Sequence, residues 1–100
     1  MLRQHAAEAN ATALDLAQMA RLLCEEENYV SAAEYYRRAL AKEYGRVDWH
    51  YALAKVLATS GAIEDAMHEA RVCLRLKPMM PEARKLVESL SVKSGAARVN

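Results

Sequence analysis

The sequence predicts an all-α fold, an α-solenoid of antiparallel helical hairpins with about five helices. The main observation is one apolar helix face that occurs twice, with its members at offsets 0, +4, +7 and +8 in each copy. These members are Ala32, Tyr36, Ala39 and Leu40 in the first copy and Ala66, Ala70, Cys73 and Leu74 in the second. The hydrophobic content of 53% with only 6% aromatics suits helices that pack closely on small side chains, and three glycines and two prolines are too few for the turns of a β fold.

The composition excludes several classes of function. A formal net charge of +1 gives no overall field that would attract nucleic acid or an anionic membrane surface. No apolar run approaches the roughly 18 residues of a membrane span, so we expect no direct membrane insertion and a cytoplasmic protein. An export signal removed from the chain would leave no trace in this sequence.

The residue types of known catalytic and metal sites do not occur at the required spacings. Cys24 and Cys73 lie far apart inside helical patterns, and neither has a histidine three or four residues away. The sequence has no Gly-rich phosphate loop, no GxSxG and no HExxH. We therefore expect reduced cysteines in the core, no metal, no cofactor and no enzymatic activity.

The first helix is predicted over residues 13–26, after an alanine-rich segment at 1–12 that we interpret as a helical extension or the remnant of an earlier repeat. Thr12 and Asp15 have the spacing of a capping box, in which each side chain bonds the other's backbone N–H. The apolar face of this helix is Leu16, Met19, Ala20 and Leu23.

The next three helices have start and stop signals. Asn28 is the predicted N-cap of the second helix, which should run to about Glu43, with Gly45 supplying a left-handed residue after it. The third helix should begin near Val47 and stop at Gly61, and the fourth should span residues 63–76.

Proline at the first position of a helix favours a fifth helix over residues 81–92. Its apolar face would cover the last hairpin, and its opposite face would meet water or a ligand. Residues 93–100 have no hydrophobic period, and we expect them to be disordered.

The spacing of the two copies, from Ala32 to Ala66, resembles that of the tetratricopeptide repeat (TPR), a helix–turn–helix unit with a period of about 34 residues. In that register the first repeat covers residues 13–46, the second covers 47–80, and 81–92 is the capping helix. The family's small residue in the second helix is Ala32 and then Ala66, and Pro78 matches its closing proline, whereas Tyr44 stands there in the first repeat.

The resemblance implies a non-catalytic module that binds a peptide or helix of a partner protein in a concave groove lined by the first helix of each repeat. The groove positions that we select as the binding site are Gln18, Arg21, Glu25, Asp48, Tyr51, Lys55, Thr59 and Lys85. The other groove positions hold Leu14, Ala17, Cys24, Ala52, Ala58 and Ser89. The Lys, Asn and Arg set by which some members hold acidic chaperone tails is essentially absent. Because Arg21 and Lys55 occupy equivalent positions of adjacent repeats, we expect an acidic peptide as the partner.

Two further classes remain open. Two repeats are fewer than the three or so that usually form a stable stack, so the chain could be a self-associating module or a piece of a longer repeat protein. In the first case Leu2 and Leu16 would be exposed at the N-terminal end and form a weak homodimer. We expect Trp49 to be buried even in a monomer. Helical repeats also bind RNA, but the near-neutral charge argues against nucleic acid.

Overall fold

The computed structural model describes residues 10–93. Within this range the chain forms five α-helices and no strand: α1 (Ala13–Glu25), α2 (Tyr29–Lys42), α3 (Val47–Thr59), α4 (Ile63–Leu76) and α5 (Pro81–Lys93). Each helix packs mainly against the helices next to it in sequence. The chain is therefore two helical hairpins followed by one further helix, which confirms the predicted all-α repeat fold.

The start of α1 is fixed by the predicted capping box. The Asp15 backbone N–H donates to the Thr12 hydroxyl at 3.1 Å, and the Thr12 backbone N–H donates to the Asp15 carboxylate at 3.0 Å. These two bonds satisfy backbone donors that have no partner inside the helix. Residues 10–12 are not helical, and the rest of the predicted N-terminal extension, like most of the predicted tail, lies outside the described residues.

The ends of α1 and α3 have the same backbone geometry at equivalent positions of the two repeats. The Asn28 N–H donates to Leu23 O at 2.8 Å, and the Ala62 N–H donates to Leu57 O at 2.9 Å. Each of these is the 6→1 hydrogen bond of a Schellman motif. The motif requires a residue in the left-handed conformation immediately before the residue whose N–H donates. In the second repeat the left-handed residue is Gly61, the predicted end of the third helix, with φ of +92°. In the first repeat it is Glu27, with φ of +60°, which no sequence signal had indicated.

One predicted boundary signal is wrong, since Gly45 does not have a positive φ. Asn28 is the N-cap of α2, as predicted, although its side chain makes no capping hydrogen bond. The ends of α2 and α4 explain the error at Gly45: their cap residues, Glu43 and Lys77, have φ of −139° and −144° and donate back to the last helical turn. Because the chain leaves each of these helices in an extended conformation, no left-handed residue is needed.

Small residues lie where the two helices of each hairpin cross. Ala20, Ala32, Ala54 and Ala66 are all completely buried. This confirms the expectation for Ala32 and Ala66, since a larger side chain at either position would hold the helices apart. Trp49 is also buried, as expected.

Leu16 corrects the expectation of an exposed N-terminal end. Its exposed fraction is 1%, because it packs with the apolar face of the first hairpin in the main hydrophobic cluster. Ala11, which precedes the helix, is buried in the same cluster. Leu2, the other residue of that expectation, lies outside the described residues.

A buried histidine joins α3 to the elements on both sides of it. His50 is 2% exposed, and its two ring nitrogens lie 2.7 Å from the Tyr44 carbonyl oxygen and 2.7 Å from Glu69 Oε1. The carbonyl can only accept, so Nε2 carries a proton and donates to it. Its contacts reach the turn before α3 and the middle of α4, so this side chain helps to fix the second hairpin against the first.

Candidate functional site

The candidate site is a pocket of about 370 Å³ between α1, α2 and α3. It is lined by Cys24 of α1, Tyr29 and Tyr36 of α2, and Ala52, Lys55, Val56 and Thr59 of α3. Rings and aliphatic groups form most of the wall, and Lys55 is the one cation among the lining residues. A largely apolar concavity with a few polar groups is the usual form of a binding site.

The Tyr36 hydroxyl lacks a hydrogen-bond partner among residues 10–93, and Tyr36 is the most deeply buried of the polar residues that line the pocket. Tyr36 is 4% exposed, and among residues 10–93 its side chain makes no hydrogen bond. No completely buried side-chain oxygen or nitrogen in that range lacks a hydrogen bond. Since Tyr36 lines the pocket, its hydroxyl must keep its remaining contact with solvent through that space. Burial raises the pKa of Tyr36 to about 12, so the group remains protonated and able to donate at neutral pH.

Lys55 lines this pocket, and Arg21 is near enough for its charge to act on one of the tyrosines in the pocket wall. Arg21 is exposed on α1, and its positive charge acts on the Tyr36 hydroxyl. Lys55 is exposed on α3, and its charge acts on the Cys24 thiol, whose pKa is nevertheless raised because burial outweighs the cation. Tyr36 and Cys24 also interact with each other, so the four groups share one region. Neither cation forms an ion pair within the described residues.

Tyr51 and Thr59 support Lys55 from its own helix. The Lys55 ammonium lies 4.7 Å from the centre of the Tyr51 ring, within the range of a cation–π contact. The Thr59 hydroxyl donates to the Lys55 carbonyl oxygen at 2.9 Å. The structure therefore brings these three predicted residues together at one edge of the pocket.

Asp48 is exposed on α3 and is already paired with a cation. Arg46 donates to its two carboxylate oxygens at 3.3 and 3.1 Å, and the same guanidinium lies 3.9 Å from the centre of the Trp49 ring. The hydrogen bonds to Asp48 and Glu43 raise the pKa of Arg46. Asp48 therefore brings little uncompensated negative charge to the site.

Four predicted residues are not among those that line the pocket: Gln18, Arg21, Glu25 and Lys85. Gln18, Arg21 and Glu25 line a second depression of about 180 Å³, together with Leu22. Lys85 is exposed on α5 and lines neither of the two depressions. The alignment of three cations along one groove therefore stays a prediction.

Sequence reasoning missed three residues of the pocket wall: Tyr29, Tyr36 and Val56. The family's groove positions all belong to the first helix of a repeat, whereas Tyr29 and Tyr36 are on α2, the second helix. The residues of α2 reach the pocket because α1 and α3 are not a main packing pair, which leaves α2 accessible between them. The available signal was that Tyr36 is aromatic where the second copy has the small Ala70.

Residues 10–93 contain neither a metal site nor a membrane-spanning helix. No group of three His, Cys, Asp or Glu side chains in this range could hold a metal ion. In the same range, none of the helices is both long enough and apolar enough to cross a bilayer.

Repeated hairpins with a pocket between successive first helices define a helical-repeat scaffold. A family model described as tetratricopeptide repeat matches residues 23–90, about two thirds of the chain. No curated protein sequence gives a significant match. The chain belongs to the tetratricopeptide repeat family.

Membership supports a general role of the chain in protein interaction. Domains of this family are in general non-catalytic scaffolds that bind protein partners. The family match also agrees with the resemblance found from the spacing of the two copies.

Proposed function

We propose that the chain is a protein-interaction module that binds an acidic peptide or helix of a partner across α1 and α3. One observation carries this proposal: at equivalent positions of the two repeats, Lys55 lines the pocket and the charge of Arg21 acts on Tyr36 in the pocket wall. Nothing in the described residues neutralises them through an ion pair. A partner carboxylate would supply the charge that these two side chains lack.

The local charge favours an anion although the whole chain is nearly neutral. Asp48 is compensated by Arg46, so the cations dominate the α3 side of the pocket. Tyr51, under the Lys55 ammonium, adds an aromatic surface of the kind that often anchors a partner. No part of this arrangement requires catalysis, and we propose a purely binding role.

Charge reversal tests the proposal. The probe is the amidated peptide Ac-Asp-Asp-Glu-Asp-Asp-NH₂, with its affinity measured by calorimetry. Replacing Arg21 and Lys55 together by Glu should weaken binding at least about tenfold, because two attractions become repulsions. The matched control reverses Arg71 and Arg75, two exposed cations of α4. Both double variants should keep the helical circular dichroism of the wild type.

Salt dependence gives a second readout. The affinity of the wild type should fall as ionic strength rises, because exposed charges are screened over roughly 8 Å at physiological salt. The proposal is wrong if the α4 control loses as much affinity as the Arg21/Lys55 variant, or if the peptide does not bind the wild type.

A second candidate function is head-to-tail self-association, favoured by the distribution of charge. Residues 10–34 contain five acidic side chains and one basic one, whereas residues 71–93 contain six basic and two acidic. The described chain is elongated, 51 Å in its longest dimension, so opposite charges lie toward opposite ends. Sedimentation that changes with protein concentration and is abolished by salt would support this candidate; a monomer at all concentrations would exclude it.

A further inference from the structure

The Tyr36 hydroxyl is a hydrogen-bond donor that is held in the pocket wall and has no acceptor. It belongs to a side chain that is 4% exposed, and no residue of the described chain accepts its proton. A phenylalanine would fill the same space without leaving a polar group unsatisfied. Of the other lining residues, Lys55 also donates only, since an ammonium has no acceptor lone pair.

We propose that this pocket is the anchor subsite for a single glutamate side chain of the bound peptide, whose carboxylate accepts from the Tyr36 hydroxyl near Arg21 and Lys55. The inference rests on the proposed function and adds to it the residue type and the place where that residue binds. It makes Tyr36, a residue of a second helix, a determinant of which acidic sequence is bound.

The shape of the pocket selects the longer acidic side chain. Lys55 lines the pocket and is exposed, whereas Tyr36 is buried in the pocket wall, so a carboxylate must enter beyond the exposed ammonium to reach the hydroxyl. On the way it passes apolar walls formed by Ala52 and Val56. Glutamate has one methylene more than aspartate to span this depth, and that methylene gains apolar contact.

The nearby carboxylates do not exclude a second anion. Asp48 acts on Tyr36, but its two oxygens are bonded to Arg46. Glu25 acts on Cys24, but it lines the second depression beside Arg21 and is exposed to solvent. The Cys24 thiol, whose pKa is raised by burial, stays protonated and adds no charge to the pocket wall.

The test compares two amidated peptides of equal charge, Ac-Asp-Asp-Glu-Asp-Asp-NH₂ and Ac-Asp-Asp-Asp-Asp-Asp-NH₂. The wild type should bind the glutamate peptide about tenfold more tightly, the scale of one hydrogen bond to a charged group. The Tyr36→Phe variant should bind the glutamate peptide more weakly than the wild type does, and it should keep at most the roughly fourfold preference that the extra methylene contributes. The matched control is Tyr35→Phe, which removes a hydroxyl from the neighbouring residue of α2 outside the pocket, and it should keep the preference.

A third peptide with leucine at the central position separates a carboxylate subsite from a purely apolar one. Equal affinity of the wild type for the two acidic peptides would overturn the inference, as would an undiminished preference in Tyr36→Phe or tighter binding of the leucine peptide. In each of those results salt-dependent binding of acidic peptides still stands, so the proposed function survives. If none of the peptides binds, both are wrong. Tyr36→Phe should fold normally, because the hydroxyl that it removes has no partner in the described chain.

Discussion

Replacing Glu27 by Gly should stabilise the protein. Glu27 has φ of +60° and Gly61, at the equivalent position of the second repeat, has φ of +92°, so both repeats require the same left-handed residue. An L-residue with a Cβ in this conformation costs about 1–2 kcal/mol relative to glycine. Glycine, in turn, gives the unfolded chain more freedom, which costs about 0.4–1 kcal/mol.

The difference between these two effects predicts a net gain of about 0.5–1 kcal/mol in the free energy of unfolding. For a chain of this size that corresponds to a rise in melting temperature of about 3–6 °C. Urea denaturation and thermal melting, both followed by circular dichroism, would measure the change. Glu27→Gln controls for the loss of a negative charge at the C-terminal end of α1, and it should change the stability by less than about 0.5 kcal/mol.

Two alanine substitutions test the same reasoning in the opposite direction. A Cβ added at Gly61 or at Gly45 would meet no atom within 4 Å, so any difference between the two comes from the backbone. Gly61→Ala should destabilise the protein by about 0.5–1 kcal/mol, whereas Gly45→Ala should stabilise it by about 0.4–1 kcal/mol. If Glu27→Gly destabilises the protein, or if the two alanine variants change stability in the same direction, the argument from backbone strain fails.

Three other predictions concern the core. Ala66→Leu should lower the free energy of unfolding by about 1–3 kcal/mol by overpacking the hairpin crossing, and an unchanged melting temperature would refute the close approach seen there. His50→Leu should cost about 2–3 kcal/mol, since it leaves buried acceptors unsatisfied, whereas Glu69→Gln, which keeps a hydrogen-bonding group near the ring, should cost less than about 1 kcal/mol in the same denaturation experiment. Burial raises the pKa of Cys73 from 9.0 to about 11, so the folded chain holds the thiol proton more tightly than the unfolded chain. That stabilisation is complete below about pH 9 and is lost as the pH rises toward 11, which lowers the free energy of unfolding by about 2–3 kcal/mol. In Cys73→Ser the free energy of unfolding should no longer show this part of its decrease at alkaline pH.

The repeated pattern of the sequence predicts most of the fold because its small residues report helix contacts directly. Ala32 and Ala66 mark the hairpin crossings, and both are completely buried. Thr12 and Gly61 mark helix ends through local chemistry that needs no tertiary contact. Glu27 could not be found this way, since a glutamate in a left-handed conformation is held there by the Schellman bonds of the turn and not by its own preference.

The candidate site was only partly predictable. The family's register places Arg21, Tyr51 and Lys55 on the first helices, and the structure finds Lys55 beside Tyr51 at the pocket edge. The sequence pattern predicts that Tyr36 is a core residue, and its burial agrees with that prediction. Its role at the pocket depends on the space left between α1 and α3, which is set by the packing of three helices and not by any local pattern.

The most direct test of the account is the location of a bound acidic peptide on the protein. Two-dimensional ¹H–¹⁵N NMR of the labelled chain, titrated with Ac-Asp-Asp-Glu-Asp-Asp-NH₂, would map it residue by residue. If the peptide binds in the pocket, the changes in amide chemical shift should be concentrated on the pocket-facing residues of α1 and α3 and around Tyr36. The exposed side of α4 near Arg71 should change little. Shifts confined to the exposed faces of α2 and α4, with Arg21 and Lys55 unaffected, would contradict it.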